Sequence, residues 1–217
     1  MKNSILCLLF CGYLILFCSP SQANIDNGIV KKVEKYFNEM TTLEGQFTQT
    51  IIKVNGQTFK DTGEFYFKTP AQMRFNYNSG LEIIASKSQL VMYQDKTDQI
   101  TTIPLAMTPA KVLLQVPFYI IGNPKLMVLE TGEDNRFLTA SIALAQAQSL
   151  GSVKLFFDKN NRQLVKWIVK EPRQTTTISV SPTKIDGKIS PKIFVLSRHK
   201  ISTESSNIVD DSIDFDD

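Results

Sequence analysis

At 217 residues, with 24 Lys and Arg against 21 Asp and Glu, the chain is long enough for one domain with a sizeable core and lacks the basic excess of a nucleic-acid binder. A single histidine excludes a His-rich metal centre. Cys7, Cys11 and Cys18 are the only cysteines, so beyond Cys18 no disulfide, thiolate nucleophile or cysteine metal site can form.

The first segment reads as an address. Met1-Lys2 gives a basic start, Ser4 to Cys18 is apolar and uncharged, and Ser21-Gln22-Ala23 places small residues where a signal peptidase reads. The run of about 15 residues falls short of the roughly 20 that span a bilayer as a helix. The expectation is a cleaved signal over residues 1–23, a single domain over 24–200, and export. Phe17 argues against lipid attachment at Cys18, because such signals want a small residue just before the cysteine. Residues 201–217 read as an acidic, flexible, solubilising tail carrying Asp210, Asp211, Asp214, Asp216 and Asp217. That leaves a mildly basic body suited to anionic surfaces or partners.

From Asn24, placed as a cap, Ile25, Ile29, Val33, Tyr36, Phe37 and Met40 recur at helical spacing, with Lys31, Lys32, Glu34, Lys35 and Asn38 on the other face. The period then drops to two. Phe47, Gln49 and Ile51 alternate with polar neighbours, and Asn55-Gly56 marks a hairpin turn. Phe65 and Phe67 share one strand face, and Met73, Phe75 and Tyr77 alternate with Gln72, Arg74 and Asn76. A meander through Leu81–Ser86, Gln89–Gln94 and Gln99–Ile103 follows. Thr108-Pro109 begins a second helix, with Val112, Leu113, Leu114 and Val116 apolar and Pro117 as its stop. Strands return at Leu126–Glu130, Arg136–Ile142, Val153–Phe157, Gln163–Lys170, Thr175–Val180 and Lys192–Arg198. The fold class is therefore mainly β (α+β). About ten antiparallel strands curl, and two or three helices lie across the open side.

Chemistry is hard to place on this frame. His199 reads as a strand-end polar residue. No serine sits in a Gly-x-Ser-x-Gly setting, and neither a Gly-x-x-x-x-Gly-Lys-Ser/Thr nor a Gly-x-Gly-x-x-Gly cradle is present. Glu64, Glu82, Asp95 and Asp98 read as surface acids. Neither catalytic residues nor a metal or other cofactor is expected. The aromatics fit an ordinary core and a lined cavity between sheet and helices equally well.

The order of motifs carries a resemblance. A signal and a short helix precede Thr42-Leu43-Glu44-Gly45-Gln46-Phe47-Thr48-Gln49. Gly63-Glu64-Phe65-Tyr66-Phe67-Lys68-Thr69-Pro70 then runs into Met73-Arg74-Phe75-Asn76-Tyr77. Thr108-Pro109-Ala110-Lys111-Val112-Leu113-Leu114 follows, and Leu155-Phe156-Phe157-Asp158 and Thr175-Thr176-Thr177-Ile178 close the pattern. This resembles the LolA family of periplasmic outer-membrane lipoprotein carriers over roughly residues 25–198. The resemblance implies a half-open, strongly curved barrel with helices as a lid over an apolar cavity. It implies no enzyme activity. It implies acylated lipoproteins as cargo, an inner-membrane ABC lipoprotein-releasing transporter as donor, and a receptor or the outer membrane itself as acceptor, with the carrier a monomer. An acyl chain in water costs about 0.8 kcal/mol per CH₂, and an aromatic and aliphatic lining offsets that without directional bonds.

Strand phase and the family pattern together nominate Phe47, Phe65, Phe67, Met73, Phe75, Tyr93, Leu113, Leu114, Phe118 and Trp167 as the acyl lining. They also nominate Thr69, Arg74 and Pro109 as the lid region. Familiar carriers often have Lys-Arg-Pro where this chain has Lys68-Thr69-Pro70, and that family arginine holds the lid. Two resolutions stay open: Arg74 substitutes, although its phase points it away, or the lid closes more loosely. A lipid- or glycolipid-sensing module, a hydrolase on a β scaffold and a structural envelope protein are the competing readings.

Overall fold

The structure, a computed structural model, describes residues 25–69, 72–86, 88–114 and 117–196. Residues 1–23, where a signal is expected, Asn24, Pro70, Val116, Arg198, His199 and the acidic segment 201–217 lie outside the described residues. The first helix, α1 (Asn27–Glu39), is capped by Asp26 rather than Asn24; the Asp26 carboxylate accepts from the Gly28 and Ile29 N–H groups. Its apolar stripe buries Ile29, Val30, Val33 and Phe37, while Ile25 ahead of it stays exposed.

Eleven antiparallel strands follow among the described residues: β1 (Thr42–Lys53), β2 (Thr58–Lys68), β3 (Gln72–Tyr77), β4 (Leu81–Ser86), β5 (Gln89–Gln94), β6 (Gln99–Pro104), β7 (Leu126–Glu133), β8 (Phe137–Leu144), β9 (Ser152–Asp158), β10 (Leu164–Glu171) and β11 (Gln174–Ile185). They form one sheet in the order β6-β5-β4-β3-β2-β1-β11-β10-β9-β8-β7. The two halves of the chain are thus two meanders joined where β1 pairs with β11, Phe47 opposite Val180. β6 and β7 are the two edges, so the sheet stays open.

Its curvature can be measured from one contact. Phe75 on β3 and Trp167 on β10 are four strand steps apart, roughly 19 Å in a flat sheet. Their rings meet edge-on at 6.0 Å between centroids. Only a sheet rolled strongly toward one face allows this. Phe47 bridges the roll, lying edge-on to Phe75 at 5.0 Å and to Tyr77 at 4.8 Å. Gly63, directly opposite Phe47, makes room for the ring: a Cβ there would meet the Asn76 carbonyl and stand 3.0 Å from Phe47 Cε1.

Two expected elements differ. The second helix is a six-residue 3₁₀ helix, Pro109–Leu114, preceded by a 3₁₀ turn at Leu105–Met107. Thr108 closes that turn, its N–H and hydroxyl both donating to the Leu105 carbonyl at 3.0 Å. Pro104, Pro109 and Pro117 leave too short a run to propagate an α-helical ladder. The strand expected at Lys192–Arg198 is also replaced, by a 3₁₀ helix at Pro191–Phe194. Pro191 has no N–H for a ladder, and the Ser190 hydroxyl accepts from the Lys192 N–H, which favours a helical start. No helix of the described residues is long and apolar enough to cross a membrane.

Candidate functional site

The inner, concave face is set by strand register, because directly paired residues point the same way. Phe47 pairs with Val180, Phe65 with Phe75, Phe67 with Met73, and Trp167 with both Ile178 and Leu155. These side chains, from both halves of the chain, therefore face one space and form one buried cluster. Phe65 and Trp167 are only 2 % and 3 % exposed.

What fills that space is the lid. α1 packs on β7 and β8, and the Pro109–Leu114 helix packs on β8, β9 and β10. Pro109, Val112, Leu113 and Leu114 are buried beneath it. Phe118, in the loop that follows, is 1 % exposed; it stacks on Phe37 at 4.2 Å, and Phe37 meets Phe67 edge-on at 5.7 Å. Phe118 and Phe37 thus plug the concave face by ring contact, Phe37 against Phe67 of the sheet wall.

Two polar contacts join the start of α1 to β7, the Asp26 N–H donating to Thr131 Oγ1 at 2.9 Å and Lys32 Nζ lying 3.5 Å from Glu133 Oε2; further bonds tie the lid to itself. The Glu34 carboxylate oxygen Oε1 accepts from the backbone N–H groups of Ile120 at 2.6 Å and Ile121 at 2.8 Å. One turn further, Asn38 makes a two-way bridge: its Oδ1 accepts from Phe118 N–H and its Nδ2 donates to Phe118 carbonyl, both at 3.0 Å. A second tie lies at the junction of α1 and β1. Asp186 Oδ1 accepts from the Thr41 hydroxyl at 2.7 Å and the Thr41 N–H at 2.9 Å, which holds its carboxyl below the usual carboxylate range. Asp186 sits at φ +52°, a left-handed position that aspartate tolerates.

The concave face remains open at its other end. A cleft of about 380 Å³, within the range of small-ligand sites, is lined by Gln49, Ile51, Lys53, Phe59, Lys60, Asp61, Tyr77, Leu81 and Gln174. At its base the Tyr77 hydroxyl donates to Gln49 Oε1 at 2.8 Å. Burial pushes the Tyr77 phenol well above its ordinary pKa, so it stays a neutral donor.

Of the ten nominated lining residues, the structure brings Phe47, Phe65, Phe67, Met73, Phe75, Leu113, Leu114, Phe118 and Trp167 into one cluster. Tyr93 is a correction. It pairs with Glu82, whereas the concave partner on β4 is Ile83, opposite Phe75. Tyr93 therefore stands on the outer face, where its hydroxyl donates to Asp98 at 3.0 Å and burial, then that carboxylate, raises its pKa to about 12.

Arg74 is a second correction: it is neither a lid residue nor a solvated one. On the outer face it donates to Asn76 at 2.6 Å, to Glu82 at 2.7 Å and to the Ile193 carbonyl at 2.7 Å. Lys68 Nζ likewise donates to the Ile189 carbonyl. Both side chains strap the segment after β11 across the outside of the sheet, where Phe194 is buried. Thr69 does meet the lid junction: its N–H and hydroxyl donate to the Thr41 carbonyl at 2.9 and 3.1 Å. Glu64 accepts from the Tyr66 hydroxyl, so the nominated surface acids all sit beside a polar partner on that outer side. Among the described residues no group of three or more His, Cys, Asp or Glu could hold a metal ion.

Glu34, Asn38 and Asp186 were missed. The i,i+4 spacing of Glu34 and Asn38 is the one signal in the sequence, and nothing in it separates these residues from solvated helix positions.

Residues 38–197 match the family model described as outer membrane lipoprotein carrier protein LolA. No curated protein matches the chain. Among solved structures it is similar to a LolA superfamily protein from Nitrosomonas europaea, at 8% identity and TM-score 0.45, covering 80% of this chain and 99% of that one. It is also similar to a putative outer membrane lipoprotein-sorting protein domain from Vibrio parahaemolyticus, at 7% identity and TM-score 0.47, covering 76% and 94%. A third likeness is to the MucA/MucB complex of Pseudomonas aeruginosa, at 12% identity and TM-score 0.39, covering 78% and 60%.

Proposed function

The chain belongs to the LolA family of outer membrane lipoprotein carrier proteins, and on that premise we propose that it works in the periplasm as a carrier of acylated lipoproteins. In this reading the carrier accepts cargo from an inner-membrane ABC lipoprotein-releasing transporter and yields it to an outer-membrane acceptor. It acts by binding alone, with neither catalysis nor a cofactor.

The observation that carries the reading is the concave cluster and what plugs it. Six inward side chains from β1, β2, β3 and β10 meet three lid side chains through apolar contact only. Acyl carbon can replace the lid residues one apolar contact for another. The exchange leaves no buried polar group stranded on the sheet wall, and that is what makes loading and unloading reversible. The lid's own bonds from Glu34 and Asn38 keep α1 and the 118–121 segment together, so the two can lift as one body once the exposed contacts of Asp26 with Thr131 and of Lys32 with Glu133 part. The 380 Å³ cleft, bounded by Tyr77 and Ile51, is the entrance.

Mass spectrometry of the protein isolated from the periplasm tests this. An acylated lipoprotein in stoichiometric complex is the expected result. A folded Phe65→Glu or Leu113→Glu variant should lose it. Equal cargo on both variants and the parent would overturn the assignment of the concave face. A protein that never carries acylated cargo, yet holds a free lipid or glycolipid, would favour a sensing module instead.

A further inference from the structure

The cleft opens beside a part of the molecule that the carrier reading leaves unused. β2 pairs with β3 only as far as Gly63 opposite Tyr77, whereas β2, β1, β11 and β10 run on together to the Asn55-Gly56 and β10–β11 turns, with Lys53 opposite Gln174. Past Thr62, whose carbonyl accepts from the Asn78 N–H at 2.8 Å, Thr58 to Asp61 thus extend beyond β3 by roughly 14 Å at the strand rise. The turn packs beside the β10–β11 turn, with Val54 N–H donating to the Arg173 carbonyl at 3.1 Å.

This projecting end is apolar at its point and basic on its flanks. Val54 is 79% exposed, Ile52 49% and Phe59 48%. Lys53, whose Nζ lies 4.7 Å from the Phe59 ring centre, stands with Lys60, Lys170 and Arg173 against Asp61 and Glu171. None of the four cations joins an ion pair among the described residues. Exposed apolar side chains at a hairpin tip cost free energy in water with no return from folding.

We infer that the β1–β2 hairpin tip is a membrane-contact surface: Val54, Ile52 and Phe59 enter the interface of an anionic phospholipid bilayer while Lys53, Lys60, Lys170 and Arg173 sit at headgroup level. Three arguments select a bilayer over a protein. The three side chains offer roughly a few hundred Å², well short of the ~1,000 Å² of a specific protein interface. Interfacial binding has no such threshold, because it adds apolar area to attraction for anionic lipid. Lysines next to the apolar tip also have the stem length to keep their charge at the headgroups. The consequence is positional. Lys53, Phe59 and Lys60 also line the cleft, so contact at the tip would hold the entrance of the concave face against the bilayer. The inference rests on the carrier reading only for what is delivered; binding of the empty protein to lipid is a separate measurement.

The test is flotation of the purified protein with vesicles of phosphatidylcholine alone or mixed with phosphatidylglycerol, at low and high salt. The expected result is co-flotation with the anionic vesicles, weakened by salt. Val54→Asp should abolish it. Lys53→Gln with Lys60→Gln should weaken it about fivefold per cation removed. Ile25→Asp, an exposed apolar residue elsewhere, should leave it unchanged, and thermal melts establish that each variant is folded. Failure of the parent to float with anionic vesicles at low salt overturns the inference, as does undiminished flotation of Val54→Asp. Loss of cargo delivery in Val54→Asp with no lipid binding by the parent would place a protein on this tip and equally overturn it.

Discussion

Replacing Glu34 with alanine removes one carboxylate oxygen that accepts from two backbone N–H groups, those of Ile120 and Ile121. Hydrogen bonds to a charged group contribute about 1.5–3 kcal/mol each. Glu34 is half-buried, and water screens such a site, so the lower end applies and the pair amounts to about 3 kcal/mol. Asn38 still bridges Phe118, so the segment should not detach outright. Separation of the 118–121 segment from α1 should become easier by a factor of about 150 at that energy. Hydrogen exchange is the direct assay: the Ile120 and Ile121 amides should exchange faster by that order, with the β1 and β11 amides unaffected. Glu34→Gln, which keeps an acceptor, should fall in between. Equal exchange of the two amides in parent and Glu34→Ala would refute the clamp, and with it the account of the lid as one body.

Gly63→Ala should destabilise the fold by about 1–3 kcal/mol, read as a lowered denaturation midpoint, because a Cβ there meets the Asn76 carbonyl and the Phe47 ring. Arg74→Lys keeps the charge but loses the planar fork that reaches Asn76, Glu82 and Ile193 at once; limited proteolysis should then cut between residues 186 and 196 sooner than in the parent, with the sheet intact. Acid should weaken the fold through carboxylates that the native state holds ionised. Asp186 is depressed by the Thr41 hydroxyl and N–H groups, Asp158 by the Asn160 N–H and then Arg136, and Asp134 by the Phe137 and Arg136 N–H groups. Each has a folded pKa below its unfolded value of about 3.9. The stability they contribute is therefore complete above that value and is lost as pH falls through the folded pKa. Thermal melts should be flat from neutral pH to about 5 and fall below about 4, and Asp186→Asn should show a shallower fall from a lower start.

The alternation of Met73, Phe75 and Tyr77, and of Phe65 and Phe67, was legible because a strand's period of two sorts side chains by face, and those faces are the buried ones. The same rule gives no shared face across different strands, which is why Tyr93 was misplaced. Within β5 it alternates as an inward residue would, but pairing with Glu82 rather than Ile83 turns it outward. Register between strands depends on where turns fall, and a one-residue difference inverts a side chain. Arg74 shows the opposite case: its phase correctly put it on the outer face, yet the segment that covers it arrives from more than a hundred residues away.

By itself, then, the sequence determined that this is a curved β protein of the lipoprotein carrier family and that Phe65 with Phe67, and Met73 with Phe75 and Tyr77, share a strand face, because periodicity and motif order are properties of neighbours along the chain. Only the tertiary structure decided that the concave face is plugged by Phe37 and Phe118, that Glu34 and Asn38 bind the lid together, and that Arg74 and Lys68 hold a strap outside instead. It also supplied the partner of Thr69, the Thr41 carbonyl. These are meetings of segments 28 to 121 residues apart, and the rolling of the sheet, which local pattern does not encode, helps bring them into reach.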